Sequence, residues 1–585
     1  MLDINNELDC ILKKYGIYKK DLLRTRLETA ICQIVSESIK KYGKRIVVRG
    51  LKYSENGYPL LKLLSEYGNI IAVVDKKPFA DTVCVDKQME LNILDLEHAT
   101  DIECDVYIIN SKYQGKNIYY DVISSKQNKC VIDLYTEMRV RYGILGPKLF
   151  EEYEEEIDLS SNKIRDAYIL FERERNIENL ESLLGKCLIN RDFITFNEVL
   201  DGATDLIEGN ERIYTLREEI DGLLKEIKKC IAERRKNQKQ DIIMHWIDQV
   251  GHDELEMFPK LSNLMEKGIC FENAYAVTPY TVATELCLFY KDIPTLLDRN
   301  AINKLMEGGI NSSFLYKTVT DKGYSFVLTG GMAADWPHSK NEYTEFMVAS
   351  SVYYWNMLNS IINSEKPVFG IVGCLAETHE PWMAPKCSEN NPSFEFYGSY
   401  QLSKSKVATA AQFYDEIINF YTDMLGVHTV NIYMSDHGKW EDINLRRYDD
   451  FAMHTILAVT NIGITGKVVR LFSYRYFLQL IDYILFCADG ETQQHVFGDT
   501  ELRSVGFQKV VQSRVKEVTE SDEQMKELQS DICSGYQGIK TDYDTYIKLG
   551  NGKEIYFLNE DKKQTNQIKE LRYRSRIEML REKVE

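Results

Sequence analysis

The chain has 585 residues, enough for two to four domains, each with a core of its own. Its composition, 44% apolar and 28% charged, is that of a soluble globular protein, and the net charge of −18 argues against a nucleic-acid partner, since phosphate-backbone binding relies on clustered Lys and Arg. Thirteen cysteines without a CxxC pair read as reduced thiols. With no basic and apolar leader at the N-terminus, the expected setting is cytoplasmic.

Residues 1–45 carry Leu22, Leu23, Leu27, Ile31, Ile34 and Val35 at helical spacing and read as a helical lead-in. From residue 46 to 150 short apolar runs alternate with helical patterns. Arg45–Gly50, Asn69–Asp75, Asp105–Asn110 and Cys130–Tyr135 read as strands, and Tyr58–Tyr67 as a helix. Fully apolar strands separated by helices predict a parallel sheet of Rossmann-like type. The stretch resembles the nucleotide-binding-like domains of bacterial polysaccharide-biosynthesis proteins. Its loop, Gly50-Leu-Lys-Tyr-Ser-Glu-Asn-Gly57, is not a GxGxxG fingerprint, and Asp75 stands where a ribose-binding acid would. Ligand binding and a purely docking role both stay open here.

Residues 151–240 are rich in Glu, Lys, Leu and Ile, with helices expected at 163–175 and 176–188. They read as a helical spacer for connection or dimerisation, which would make the protein a homo-oligomer. The basic run Lys228–Lys239 reads as the solvated face of a helix. The most apolar stretch, Tyr476–Ala488, is broken by Gln479 and Asp482 and too short to cross a bilayer, so no membrane insertion is expected.

Chemistry gathers after residue 240. Asp241–Asp248 reads as a buried strand ending in a carboxylate. Pro259 opens a helix at a position where its missing N–H costs nothing, and Gly268 closes it in the C-cap position. The following loop delivers Thr281 to the start of a helix at 284–290, where free N–H groups and the helix dipole attract anions. Far downstream, Asn431–Ser435 is a strand followed by Asp436-His-Gly438, a pair of metal-ligand type.

The run Pro259-Lys-Leu-Ser-Asn-Leu-Met-Glu-Lys-Gly-Ile-Cys-Phe-Glu-Asn-Ala-Tyr-Ala276 resembles the "P-x-L-x-x-L-x-x-x-G-x-x-F-x-N-A-Y-A" phrase of the sulfatase-like branch of the alkaline phosphatase superfamily. The helix 407–425 with Asp415, the Ser435-Asp-His-Gly438 motif and the ending Tyr546–Asp561 match that family in the same order. The resemblance implies an α/β fold, a mixed sheet sandwiched by helices, with a catalytic core at 241–490 and a C-terminal subdomain with a terminal helix at 491–585. It implies that Asp248, Thr281, Asp436 and His437 hold a divalent cation, with Gln249 a weaker candidate beside Asp248. Carboxylates and an imidazole suit Mn²⁺, Zn²⁺, Mg²⁺ or Ca²⁺. Thr281 would be the nucleophile. His379, in Glu377-Thr-His-Glu-Pro-Trp382, would hold a non-bridging oxygen or protonate the leaving group. His454 would serve a second metal, a substrate or the core, and Trp336 and His338 are substrate-site candidates.

The departures from the family are informative. Where sulfatases carry "C-x-P-S-R", this chain has Thr281-Val-Ala-Thr-Glu285, and threonine cannot become formylglycine. The sulfate-gripping "G-K-W-H" appears as Gly330-Gly-Met-Ala333. A threonine nucleophile resembles the phosphoglycerol- and phosphoethanolamine-transferring relatives instead. The expected function is therefore phosphoester hydrolysis or transfer from a small soluble phospho-group donor to water or to a sugar or glycan acceptor. The alternatives are a sulfatase that works without formylglycine and a non-catalytic scaffold in glycan assembly.

Overall fold

The computed structural model describes residues 2–17, 20–21, 23–50, 57–75, 82–86, 89–96, 102–111, 118–119, 121–123, 130–142, 156–157, 161–234, 239–277, 281–290, 309–330, 349–374, 377–378, 384–385, 404–438, 453–489, 501–506, 536–549, 551–561, 567–568 and 571–584. They fall into two units. One comprises Gly16–Asn190 and Met383–Thr409, the other Met1–Tyr15, Arg191–Trp382 and Ala410–Glu585.

In the first unit the apolar runs form β1 (Arg45–Arg49), β2 (Asn69–Val74), β3 (Thr82–Asp86), β4 (Met89–Leu94), β5 (Val106–Ile109) and β6 (Cys130–Asp133), in the order β3-β4-β2-β1-β5-β6. All neighbours are parallel except the edge pair β3/β4, an antiparallel hairpin that the sequence pattern did not signal. Helices Leu23–Tyr42 and Gly57–Ser65 place Ile31, Ile34, Leu60, Leu61 and Leu64 against Ile46, Val48 and Ile108. Leu134 and Tyr135, expected to extend β6, instead open the helix Leu134–Tyr142. The Asp133 carboxylate accepts from Thr136 N (3.4 Å) and Thr136 Oγ1 (2.8 Å), an N-cap that stops the strand.

The second unit is built on a seven-stranded mixed sheet. Its strands are β7 (Ile242–Ile247), β8 (Ile269–Phe271), β10 (Ser325–Gly330), β11 (Val368–Cys374), β12 (Val430–Ser435), β14 (Leu457–Thr460) and β15 (Gly466–Val468). The order is β10-β11-β7-β12-β14-β8-β15. A smaller sheet joins β9 (Ala274–Tyr275), β13 (His454–Thr455) and β16 (Phe472–Ser473) in the order β13-β9-β16. The C-terminal β17 (Glu501–Gly506), β18 (Tyr536–Thr541), β19 (Asp544–Leu549) and β20 (Glu554–Leu558) form an antiparallel sheet in chain order.

Every residue of β7 is buried, because both faces of the sheet are covered. Ile242, Met244 and Trp246 pack with the helices Thr281–Phe289 and Phe477–Ala488. On the opposite face His245 stacks on Tyr433 at 4.7 Å and bonds Tyr354, from the helix Ser350–Asn363, at 2.8 Å. This is the mixed α/β sheet flanked by helices that the sequence led us to expect.

Two details of the Pro259–Gly268 run have causes the sequence hid. The helix Pro259–Met265 receives its N-terminal cap from a distant residue: Asp415 accepts from Lys260 N (2.9 Å) and Leu261 N (2.7 Å). Gly268 is expected as a C-cap, but the C-cap position falls on Glu266. Glycine is needed at 268 because a Cβ there would sit 2.0 Å from the Val459 carbonyl oxygen of the neighbouring strand.

Candidate active site at the ends of the central strands

The parallel strands β7, β11 and β12 are in register, with Ile247 paired to both Cys374 and Ser435, so their carboxyl ends open at one level. The residues just beyond are Asp248 and Asp436-His437. In open α/β sheets this edge is where ligands gather. Asp248 is held there by its N–H bond to the Cys374 carbonyl (3.1 Å). Ser435 is fixed by reciprocal bonds with Ile456 and by the Tyr474 hydroxyl, which donates to its carbonyl at 2.7 Å.

Gln249 takes φ +59°, unusual for a residue with a Cβ. The twist aims its backbone N–H at Asp436 Oδ1 (3.1 Å), which also accepts from His437 N (2.8 Å). One oxygen of Asp436 is thus fully engaged. Its other oxygen, Oδ2, is buried with no hydrogen-bond partner among the described residues, and so is Asp248 Oδ2.

The imidazole of His437 bonds the Gly438 carbonyl through Nδ1 (2.8 Å). A carbonyl only accepts, so Nδ1 bears the proton and Nε2 presents a lone pair. That lone pair lies 3.7 Å from Asp248 Oδ1 and 3.5 Å from Asp436 Oδ2. Asp248, Asp436 and His437 are all within 1% of complete burial. Three electron-rich atoms therefore converge in a site closed to water, where uncompensated charge is costly. Burial first, and then the neighbouring Asp436 charge, push the Asp248 carboxyl well above the usual range. Their donor atoms lie within 4.8 Å of one another, and this donor chemistry fits a divalent cation.

Thr281 is the first residue of the helix Thr281–Phe289, three residues earlier than its apolar pattern indicates. Its Oγ1 is 3.4 Å from Asp248 Oδ1 and 3.3 Å from His437 Nε2. One turn on, the Thr284 hydroxyl donates to the Asp436 carbonyl (3.1 Å), tying the helix start to the strand end. Unlike the three buried residues around it, Thr281 is only half-buried. The buried Glu285 adds a further negative charge near Asp248.

The structure thus brings together Asp248, Thr281, Asp436 and His437, residues far apart in sequence. It places the backbone of Gln249 against Asp436. His379, Trp336 and His338 lie outside the described residues. Glu377, two residues before His379, is buried and accepts from Ser350 N (3.1 Å) and Ser350 Oγ at the start of the helix Ser350–Asn363. His454 lies in β13, stacked between Tyr275 and His252, with donor atoms of His252 and Asp253 close by. Neither His252 nor Asp253 stood out in the sequence. Their meeting with His454 depends on the Gly251–Thr455 bridge, which leaves no local pattern.

No protein-family model and no curated protein matches the chain. Solved structures do align with part of it. The phosphonate monoester hydrolase of Agrobacterium radiobacter is 13% identical over 59% of this chain and 94% of its own, with a TM-score of 0.41. A protein solved in complex with its substrate D-glucosamine-2-N,6-O-disulfate is 13% identical over 59% and 97%, with a TM-score of 0.42. A protein of the alkaline phosphatase superfamily from Vibrio parahaemolyticus is 12% identical over 62% and 94%, with a TM-score of 0.39.

Proposed function

We propose that the chain is a metal-dependent phosphoester hydrolase or transferase that works through covalent attack by Thr281. The observation that carries this reading is the Thr281 hydroxyl, 3.4 Å from Asp248 Oδ1 and 3.3 Å from His437 Nε2, beside two buried carboxylate oxygens that have no hydrogen-bond partner among the described residues. Asp248, Asp436, His437 and the Thr281 oxygen are the residues that would hold a divalent cation such as Mn²⁺, Zn²⁺, Mg²⁺ or Ca²⁺. When bound, such an ion lowers the pKa of a neighbouring hydroxyl and offsets the charge that develops on a transferred group.

The chain's own groups do the rest. Gln249 N and His437 N hold Asp436 Oδ1, and Gly438 O fixes the His437 tautomer, so the donors are set before substrate arrives. The helix start would position Thr281 Oγ1 for in-line attack on phosphorus, and a helix N-terminus favours the bound anion. His379 is proposed to hold a non-bridging oxygen or to protonate the leaving group. The group held on Thr281 would then pass to water or to a sugar hydroxyl, and modification of a surface-glycan precursor from a soluble donor is the role we favour.

A formylglycine sulfatase is disfavoured by Thr281 itself, and Glu285 replaces the arginine that supports that chemistry. A non-catalytic scaffold gives no reason for two carboxylates to be buried side by side with an oxygen each that no described residue bonds. The test is hydrolysis of p-nitrophenyl phosphate, a phosphodiester, a phosphonate monoester and p-nitrophenyl sulfate with Mn²⁺ or Zn²⁺, run beside Thr281→Ala. Release of nitrophenol from a phosphorus ester that needs both metal and Thr281 is expected. Preference for the sulfate would overturn the phosphoryl assignment, and full activity in Thr281→Ala would overturn the covalent one.

A further inference from the structure

The geometry points to a second divalent-cation site, made of His252, Asp253 and His454, that takes a borderline transition ion such as Zn²⁺. Their donor atoms lie within 4.8 Å of one another, and His252 Nδ1 is 3.9 Å from Asp253 Oδ1. These residues come from two segments. His252 and Asp253 open the short 3₁₀ turn His252–Met257, and His454 begins β13. The segments are locked together by the isolated bridge Gly251–Thr455, one residue before His252 and one after His454.

The two imidazoles lie face to face, with centroids 4.3 Å apart and planes at 8°, and Tyr275 covers the other face of His454 at 4.8 Å. The β9–β13 register sets that second contact by pairing Tyr275 with His454. His454 is also oriented as ligating histidines are. Its Nε2 bonds the Glu272 carbonyl at 2.8 Å, and since a carbonyl only accepts, Nε2 carries the proton and Nδ1 is the ligating atom.

Two imidazoles and one carboxylate select a borderline ion over Ca²⁺ or Mg²⁺, which prefer all-oxygen shells. Around a tetrahedral ion with bonds of about 2.0–2.1 Å, donor atoms stand about 3.3 Å apart, so the present spacing has to contract. The side chains of His252 and Asp253 are 33% and 42% exposed and can turn without disturbing the core, while β13 holds His454 still. With three donors from the described residues, such an ion keeps a coordination position for water or an anionic group.

The test is equilibrium dialysis of the metal-stripped full chain against Zn²⁺, with metal analysis of wild type, His252→Gln, Asp253→Asn and Asp436→Asn. We expect His252→Gln to bind one equivalent fewer than wild type, and Asp253→Asn to weaken that equivalent about tenfold. Asp436→Asn, which alters only the Asp248 site, should keep the equivalent that His252→Gln loses. Because the readout is zinc bound rather than turnover, failure of the proposed activity leaves this result intact. Wild-type stoichiometry and affinity in both His252→Gln and Asp253→Asn would overturn the site. Both substitutions fall at partly exposed positions, and if His252→Gln does not fold, Asp253→Asn decides alone.

Discussion

Replacing Asp436 by Asn separates a metal-binding carboxylate from an ordinary buried one, because the two predict opposite signs. A carboxylate oxygen of Asp248 and one of Asp436 lie within 4.8 Å of each other. At an effective dielectric constant of about 20, two full charges at that distance repel by about 3.5 kcal/mol. This is an upper figure, since the raised Asp248 carboxyl lets the pair take up a proton instead. The amide removes the repulsion yet keeps an oxygen for the Gln249 and His437 N–H groups. It also places an N–H₂ donor where Oδ2 now lacks a partner. Metal-free Asp436→Asn should therefore be more stable than wild type by about 1–2 kcal/mol, a rise in Tm on the order of 2–4 °C. With metal at a hundredfold excess over Kd the wild type gains about 2.7 kcal/mol, which the variant forgoes, so the order reverses. Thermal unfolding in EDTA and in excess Mn²⁺ reads both arms. An equal loss of Tm in the two conditions would refute the reasoning and make Asp436 a structural carboxylate.

Burial, partly offset by the bonds from Ser350, pushes the Glu377 carboxyl up to about 7 from its ordinary 4.5. The folded state then holds a proton that the unfolded state has released, so this stability is complete below pH 4.5 and lost as pH rises through about 7. The difference amounts to about 3 kcal/mol, and Glu377→Gln should flatten the urea midpoint between pH 5 and 8; an unchanged slope would remove Glu377 as its source. Gly268→Ala should cost about 1–3 kcal/mol, because the Val459 carbonyl has to retreat from the new methyl group, and a variant within 0.5 kcal/mol of wild type would contradict the close approach. Asp415→Ala uncaps the helix Pro259–Met265 and should cost about 0.5–2 kcal/mol by chemical denaturation, with Asp415→Asn recovering part of it. Gln249→Gly should hold or raise stability by up to about 1 kcal/mol while Gln249→Val lowers it, since glycine adopts φ +59° without strain and a β-branched residue resists it more than glutamine does.

What was legible in the sequence follows from how far each signal reaches. The strands around Met244 and Ile432 announced themselves because a strand buried on both faces is mostly apolar, and the acid or Asp-His pair just past it marked the sheet's open end. Thr281 stood out through the motif around it, but its helix starts three residues earlier than its apolar pattern indicates. Leu134 and Tyr135 read as strand because β6 is apolar, and the cap from Asp133 that turns them into helix is a side-chain bond that periodicity does not register. Gly268 looked like a helix stop, whereas the Val459 carbonyl that demands it comes from a strand nearly two hundred residues away. Long separation in sequence also hid the Asp415 cap and the meeting of His252 with His454. Contacts of that kind are made by the topology, and the chain carries no local record of them.

The central claim is that Thr281 takes the transferred group. The most direct test is rapid acid quench of the metal-loaded protein during turnover of a p-nitrophenyl phosphorus ester, followed by mass analysis of the peptide containing Thr281. A phosphorus-containing adduct on Thr281 is expected in wild type, appearing before steady state, and is absent from Thr281→Ala, which also fails to turn over. Turnover at the wild-type rate by Thr281→Ala, with no adduct in either protein, would contradict it.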